Sequence, residues 1–232
     1  MISIRRANER GKGEYGWLHA NYTFSFAHYY DPRHVGFHGL VVMNEDYIEG
    51  GGGFPEHGHR DMEIVTYILE GALRHRDSMG NEGVIRPGVV QRMSAGTGVR
   101  HSEFNDSKTE TCHLYQIWIE PSRGGFPSGY EERALPGVER AGKLVLVASP
   151  DGANGSTTIN ADTKLYCARL EPGQTVTLDL AKGRHGWLQV ARGAVALNGE
   201  ELNVSDGAAI SNVQKLEVTG REDSEILLFD LR

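Results

Sequence analysis

The chain has 232 residues, with 24 Lys+Arg against 31 Asp+Glu for a formal net charge of −7, 30 Gly, 8 Pro and 39% hydrophobic residues. So few prolines exclude a collagen-like chain, and the apolar content exceeds that of a disordered one. No apolar run approaches the ~20 residues that span a bilayer, and the acidic balance lacks the clustered cations that bind nucleic acid directly. At this length two small domains can each bury a core without disulfides. Cys112 and Cys167 lie outside any C-x-x-C pattern and read as small buried hydrophobes in a reducing compartment. Behind the basic pair of Met1-Ile2-Ser3-Ile4-Arg5-Arg6 there is no apolar stretch, so the expected location is the cytoplasm, away from membranes.

Short β-rich runs bounded by Gly, Asn, Asp and Pro recur along the chain, and helical periodicity is scarce, which predicts an all-β protein. In chain order, strands are expected over 39–43, 62–69, 113–119, 144–148, 175–180, 187–191, 215–218 and 225–230. Prolines and glycines from Pro121 to Gly137 interrupt any regular element. The expected organisation is an amino-terminal domain over 1–125, a linker over 126–143 and a carboxy-terminal domain over 144–232. A weak repeat relates the halves. Leu69-Glu70-Gly71-Ala72-Leu73 corresponds to Ala191-Arg192-Gly193-Ala194-Val195, and Pro87-Gly88-Val89 to Asp206-Gly207-Ala208.

His57-Gly58-His59 precedes the second apolar run, and side chains alternate with period 2 along a strand, so both imidazoles leave one face as a two-ligand clamp. About forty residues on, His101-Ser102-Glu103 repeats the geometry after the turn Gly96-Thr97-Gly98. Converging in one barrel, three imidazoles and a carboxylate suit Fe(II), Mn(II), Ni(II), Cu(II) or Zn(II), and are too nitrogen-rich for Mg or Ca. Glu63 is an even number of residues from His59, so parity leaves both Glu63 and Glu103 open as the carboxylate. On the following strand His113, Tyr115 and Ile117 alternate with Leu114, Gln116 and Trp118, and one set faces the interior, as aromatic packing or as a ring-accepting wall. The cluster Phe24, Phe26, His28, Tyr29 and Tyr30 reads as core or lid. His19, His34, His38 and His75 have no paired neighbour and are given no role.

These motifs resemble those of the cupin superfamily. Gly51 through Gly71 is similar to its first motif, G-x5-H-x-H-x3/4-E-x6-G, except that seven residues separate Glu63 from Gly71. Gly98-Val99-Arg100-His101 and Asn105 fit the second, G-x5-P-x-G-x2-H-x3-N, with Gly96 at the usual proline and Val90 at the upstream glycine. With Tyr22-Thr23-Phe24-Ser25-Phe26, Met93-Ser94-Ala95-Gly96-Thr97-Gly98 and His101-Ser102-Glu103-Phe104-Asn105, the whole chain looks like the pirin family, a branch of two-domain cupins.

That resemblance implies two tandem cupin-type, jelly-roll-like β-barrels with little helix. It implies one metal ion on His57, His59, His101 and Glu103, with Glu63 beside the ligands, Fe(II) as the first choice and Ni, Mn, Cu or Zn as alternatives. Two coordination positions then stay open to a small aromatic substrate and dioxygen. The implied activity is like that of quercetin 2,3-dioxygenase, with Glu103 catalytic as acceptor of a flavonol hydroxyl proton. The alternative is an iron-bearing, redox-sensitive regulatory protein that acts on a protein partner without turnover. Laid on the first domain through the repeat, the second puts Asp179 and Ala181 where His57 and His59 stand. Its clamp is lost, so it is expected to hold no metal, and the lone His185 is expected to be a surface or hydrogen-bonded residue.

Overall fold

The computed structural model describes residues 1–135 and 137–232. Two compact units divide the chain. One gathers Gly11–Ala134 and Thr157–Ala161, and the other gathers Met1–Arg10, Leu135–Ser156 and Asp162–Arg232. No helix among the described residues is long and apolar enough to cross a membrane.

The chain opens with β1 (Ile2–Arg5), then builds the first unit from β2 (Gly11–Glu14), β3 (Leu18–Tyr22), β4 (Leu40–Ile48), β5 (Gly53–His59), β6 (Glu63–Glu70), β7 (Leu73–Asp77), β8 (Glu82–Ile85), β9 (Val89–Ser94), β10 (Val99–Asn105), β11 (Cys112–Ile119) and β12 (Gly129–Ala134). These form two antiparallel sheets, β12-β9-β6-β11-β4-β3-β2 and β5-β10-β7-β8. After β13 (Val145–Ser149) and the short β14 (Thr157–Thr158) come β15 (Thr163–Leu170), β16 (Thr175–Asp179), β17 (His185–Arg192), β18 (Val195–Leu197), β19 (Glu200–Leu202), β20 (Gly207–Ser211), β21 (Lys215–Gly220) and β22 (Ser224–Leu231). In the second unit the sheets run β1-β20-β17-β22-β15-β13 and β16-β21-β18-β19.

The small sheets match strand for strand, β5-β10-β7-β8 with β16-β21-β18-β19, and β9-β6-β11-β4 matches β20-β17-β22-β15. The weak repeat is therefore a duplicated two-sheet barrel, and the architecture is the tandem cupin one. Its two glycines sit at equivalent turns. Gly71, between β6 and β7, has φ +74, and a Cβ there would lie 2.8 Å from the Thr111 carbonyl. Gly193, between β17 and β18, has φ +70, and its Cβ would lie 2.3 Å from the Asp223 carbonyl. Left-handed backbone and close approach each require glycine.

Domain membership differs from the boundaries read in the sequence. Residues 1–10 group with the second unit, because β1 completes the edge of β20 from Ile2 opposite Ile210 to Arg5 opposite Gly207. Unpaired edge N–H and C=O groups make such an addition favourable. Within the segment read as linker, β12 pairs with β9 from Gly129 opposite Ser94 to Ala134 opposite Val89. It is a partly exposed edge strand, so it carries no apolar alternation to read.

Two apolar clusters of the first unit lie near the small sheet. Leu18, Tyr22, Ile48, Ile68, Leu73 and Leu114 belong to one, with Phe26 and Phe54 against it. Ile64, Met93, Ala95 and Val99 form the other, with Trp118 against it. The second unit is filled by one larger cluster that includes Leu188, Val190, Leu216, Val218 and Ile226. Cys112 and Cys167 are both buried.

Candidate metal centre

Three neighbouring strands of the small sheet carry the donors. β10 pairs with β5 so that His101 stands opposite His57 and Val99 opposite His59. On its other side it pairs with β7, placing His101 opposite Asp77 and Glu103 opposite His75. Period-2 alternation sends His57, His59, His101 and Glu103 toward the barrel interior, and all four line one cavity. Ligand atoms of His57, His59 and His101 lie within 4.8 Å of one another. A second donor group, equally close, consists of His75, His101 and Glu103. His101 is common to both.

Hydrogen bonding prepares these groups for a cation. His57 Nδ1–H donates to the Pro55 carbonyl at 2.8 Å, which leaves the Nε2 lone pair free. Neither ring nitrogen of His101, nor Glu103 Oε1, has a hydrogen-bond partner among the described residues, although both residues are only 2% exposed. Such orphaned buried polar atoms are costly unless something binds them. Burial pulls His59 down to about 4, aided by the neighbouring His57. Burial and the adjacent imidazoles take His101 down to about 2, against the opposing pull of Asp77. Both rings are therefore neutral near pH 7, the form that ligates metal. Burial pushes Glu103 up to about 7, opposed by Gln116, and a cation would favour its ionised form. The donor set thus fits a divalent transition metal.

Gln116 supports the carboxylate directly. The Thr66 hydroxyl donates to Gln116 Oε1 at 3.2 Å, and this turns the amide so that Nε2 donates to Glu103 Oε2 at 3.0 Å. Glu63 is occupied elsewhere. Its oxygens accept from Ser94 Oγ at 2.7 Å and Asn160 Nδ2 at 3.0 Å, and it belongs to neither donor group. Parity failed for Glu63 because β5 ends at His59, Asp61 turns the chain with φ +47, and Glu63 opens β6 in the other sheet.

On β11 the even-numbered set faces inward, so Gln116 and Trp118 line the cavity. His113 instead stacks on Tyr47 at 4.0 Å and bonds Glu45 at 2.9 Å. Of the aromatic cluster around residue 26, Phe26 lines the cavity edge-on to Trp118, while Phe24 is core. His185 bonds Ser211 Oγ at 2.9 Å. His75, fully buried beside the donors, is the residue that sequence reading missed. Its signal was His75-x-Asp77, an imidazole and carboxylate on one strand face.

The cavity measures about 180 Å³. A second chamber of about 200 Å³ shares Phe26, Asn44, Asp46 and Phe54 with it and continues to Tyr15 and Trp17. Asn44 and Asp46 are buried, each with an Oδ1 lacking a hydrogen-bond partner among the described residues. Burial, with Glu103 and Glu45 adding to it, pushes Asp46 up to about 8. A larger cleft of about 700 Å³, walled by Glu56, Arg76, Ser102 and Phe104, lies on the opposite face of the small sheet.

Comparison with known proteins gives the family. Residues 3–119 match the pirin family, and residues 146–231 match the quercetinase C-terminal cupin domain. The chain belongs to the pirin family. Among curated pirin relatives, the quercetin 2,3-dioxygenase of Escherichia coli (strain K12) is 49% identical over 231 residues, covering 100% of this chain and 99% of that protein. The crystal structure of YhhW from Escherichia coli is 48% identical with a TM-score of 0.97, covering 100% of this chain and 98% of that one. A structure of the bacterial pirin YhhW in complex with nickel(II) is 47% identical with a TM-score of 0.95, covering 100% and 99%.

Proposed function

We propose that this pirin is a metal-dependent dioxygenase that opens a flavonol of the quercetin type, with His57, His59, His101 and Glu103 holding one divalent ion, Fe(II) as the first candidate. The observation that carries this reading is the cluster of three imidazoles and a partly unpaired carboxylate on the wall of an aromatic-lined cavity. Full-length similarity to a protein named quercetin 2,3-dioxygenase supports the choice of substrate class. When bound, the ion supplies Lewis acidity toward a substrate hydroxyl and redox chemistry toward dioxygen.

The remaining work falls to the chain's own residues. Trp118 and Phe26, set edge-on to each other, line the cavity and supply aromatic surface for a planar ring. Small-molecule pockets run from ~300 Å³ upward, so a two-lobed aromatic needs both chambers, with Asn44 and Asp46 at their junction. Glu103, kept ionised by a bound cation, would be the base that accepts the proton released from the substrate hydroxyl. Apolar walls exclude water from that transfer.

The test starts from protein purified without added metal, assayed for bound elements, then loaded separately with Fe(II), Ni(II) and Zn(II). The expected result is bleaching of the flavonol visible band in air, with carbon monoxide released, by at least one redox-active ion and not by Zn(II). Metal retained at one ion per chain with no bleaching across flavonols overturns the dioxygenase reading.

A further inference from the structure

His75 and Asp77 form a fully buried pair, with His75 Nε2 3.2 Å from Asp77 Oδ2. That carboxylate is already used as an acceptor on both oxygens. The backbone N–H groups of Met79 and Asn81 donate to Oδ1 at 2.9 and 3.0 Å, and Asn81 Nδ2 donates to Oδ2 at 2.9 Å. A carboxylate in this role requires His75 to carry its hydrogen on Nε2, which leaves Nδ1 as a bare lone pair. Nδ1 has no hydrogen-bond partner among the described residues. Tyr130 stacks on the ring at 4.9 Å and 26°, so its plane is held.

What lies beside that ring follows from the ladder. His75 is opposite Glu103, its ring centroid is 5.4 Å from that of His101, and the ligand atoms of the three residues lie within 4.8 Å of one another. An imidazole that ligates a metal through one nitrogen carries hydrogen on the other, and this N–H needs an acceptor. His101 is buried and has no such acceptor in place among the described residues. Glu103 Oε1, the other bare acceptor nearby, is committed to the ion in the reading above.

We propose that His75 is a positioning residue of the metal centre, whose unpaired Nδ1 is the acceptor that the free N–H of His101 closes on when that ring ligates the ion, which fixes the orientation and tautomer of the ligand in a line running Asn81 to Asp77 to His75 to His101. The proposal rests on His101 being a metal ligand. It assigns His75 no contact with the ion itself.

The test uses the full-length chain loaded with Co(II), whose visible bands report ligand geometry, and with Cu(II), whose hyperfine pattern counts ligating nitrogens. Affinity is measured by competition with a chelator. Against wild type, His75→Phe keeps the ring stack and removes the acceptor, and a fall in affinity of about 10- to 100-fold with displaced Co(II) bands is expected. His75→Asn places an amide oxygen near the position of Nδ1, and recovery of most of the affinity and of the wild-type bands is expected. Wild-type affinity and bands in His75→Phe overturn the proposal, as does an Asn variant no better than Phe. Loss of one nitrogen from the Cu(II) pattern in His75→Phe also overturns it, by making His75 a ligand. Should His75→Phe fail to fold, Asp77→Asn carries the test, since an amide no longer dictates the His75 tautomer. Weakened binding is then expected, and unchanged binding and spectra overturn the proposal. Failure of wild type to take up Co(II) at all is distinguishable, because it removes the ligand reading on which this one stands.

Discussion

Glu103 is held between opposing influences: burial favours its protonated form, and the Gln116 amide favours its ionised form. Hydrogen bonds to charged groups contribute about 1.5–3 kcal/mol, so Gln116→Leu is expected to weaken metal binding by about 10- to 100-fold while leaving the imidazoles in place. A chelator competition titration on the variant measures this, and unchanged affinity would show that the amide is only packing. Asp46, at the junction of the chambers, gives a pH dependence of definite sign. Its folded value of about 8 lies above its ordinary one, so between about pH 4 and 8 the folded state binds more protons than the unfolded state. The stability it contributes is complete below that window and is lost as pH rises through it. In metal-free protein the unfolding free energy is therefore expected to fall across the window, and Asp46→Asn to flatten the fall. Urea denaturation at a series of pH values in chelator tests this, and parallel curves for the two proteins would contradict it.

Element by element, legibility in the sequence tracked local regularity. His57 with His59, and His101 with Glu103, were readable because each pair sits two apart within one strand, where alternation holds without knowledge of the fold. Glu63 was misleading because a turn at Asp61 separates it from β5 and resets the phase. His75 was invisible as a donor because its neighbours come from β10, more than twenty residues away in sequence, and only strand register brings them together. Edge strand β12 lacked an apolar face to recognise, and β1 offered only the brief alternation of Ile2 and Ile4, which packs on the core of the second unit. The repeated glycines were legible as a pattern, and their geometry now ranks their importance. Gly199 has φ +91 with nothing near its missing Cβ, so Gly199→Ala meets backbone strain alone, about 1–2 kcal/mol. Gly71→Ala adds a 2.8 Å approach to a carbonyl, and Gly193→Ala adds one of 2.3 Å. Chemical denaturation is expected to order the losses Gly193 above Gly71 above Gly199, and a reversed order would refute the account of these turns.

Across the whole molecule, one barrel design is used in two ways. Where β10 presents His101 and Glu103 to its interior, the matching β21 presents Leu216 and Val218, both fully buried in the large cluster of the second unit. In the first unit the cavity is lined by Phe26 and Phe54 from one apolar cluster and by Ile64 and Trp118 from another. The equivalent strand positions are thus apolar and packed in one barrel, and carry the unpaired polar atoms of His101 and Glu103 in the other. A bound ion satisfies those atoms only in the folded first unit, and at a free concentration of about 100 times Kd it stabilises that state by about 2.7 kcal/mol. Amide hydrogen exchange with and without Ni(II) should resolve the asymmetry. Protection is expected to rise in β5, β7 and β10 and to stay unchanged in their counterparts β16, β18 and β21, because local opening of the second barrel exposes no ligand. Equal gains in both sets of strands would mean that the ion acts through something other than the donor cluster of the first barrel.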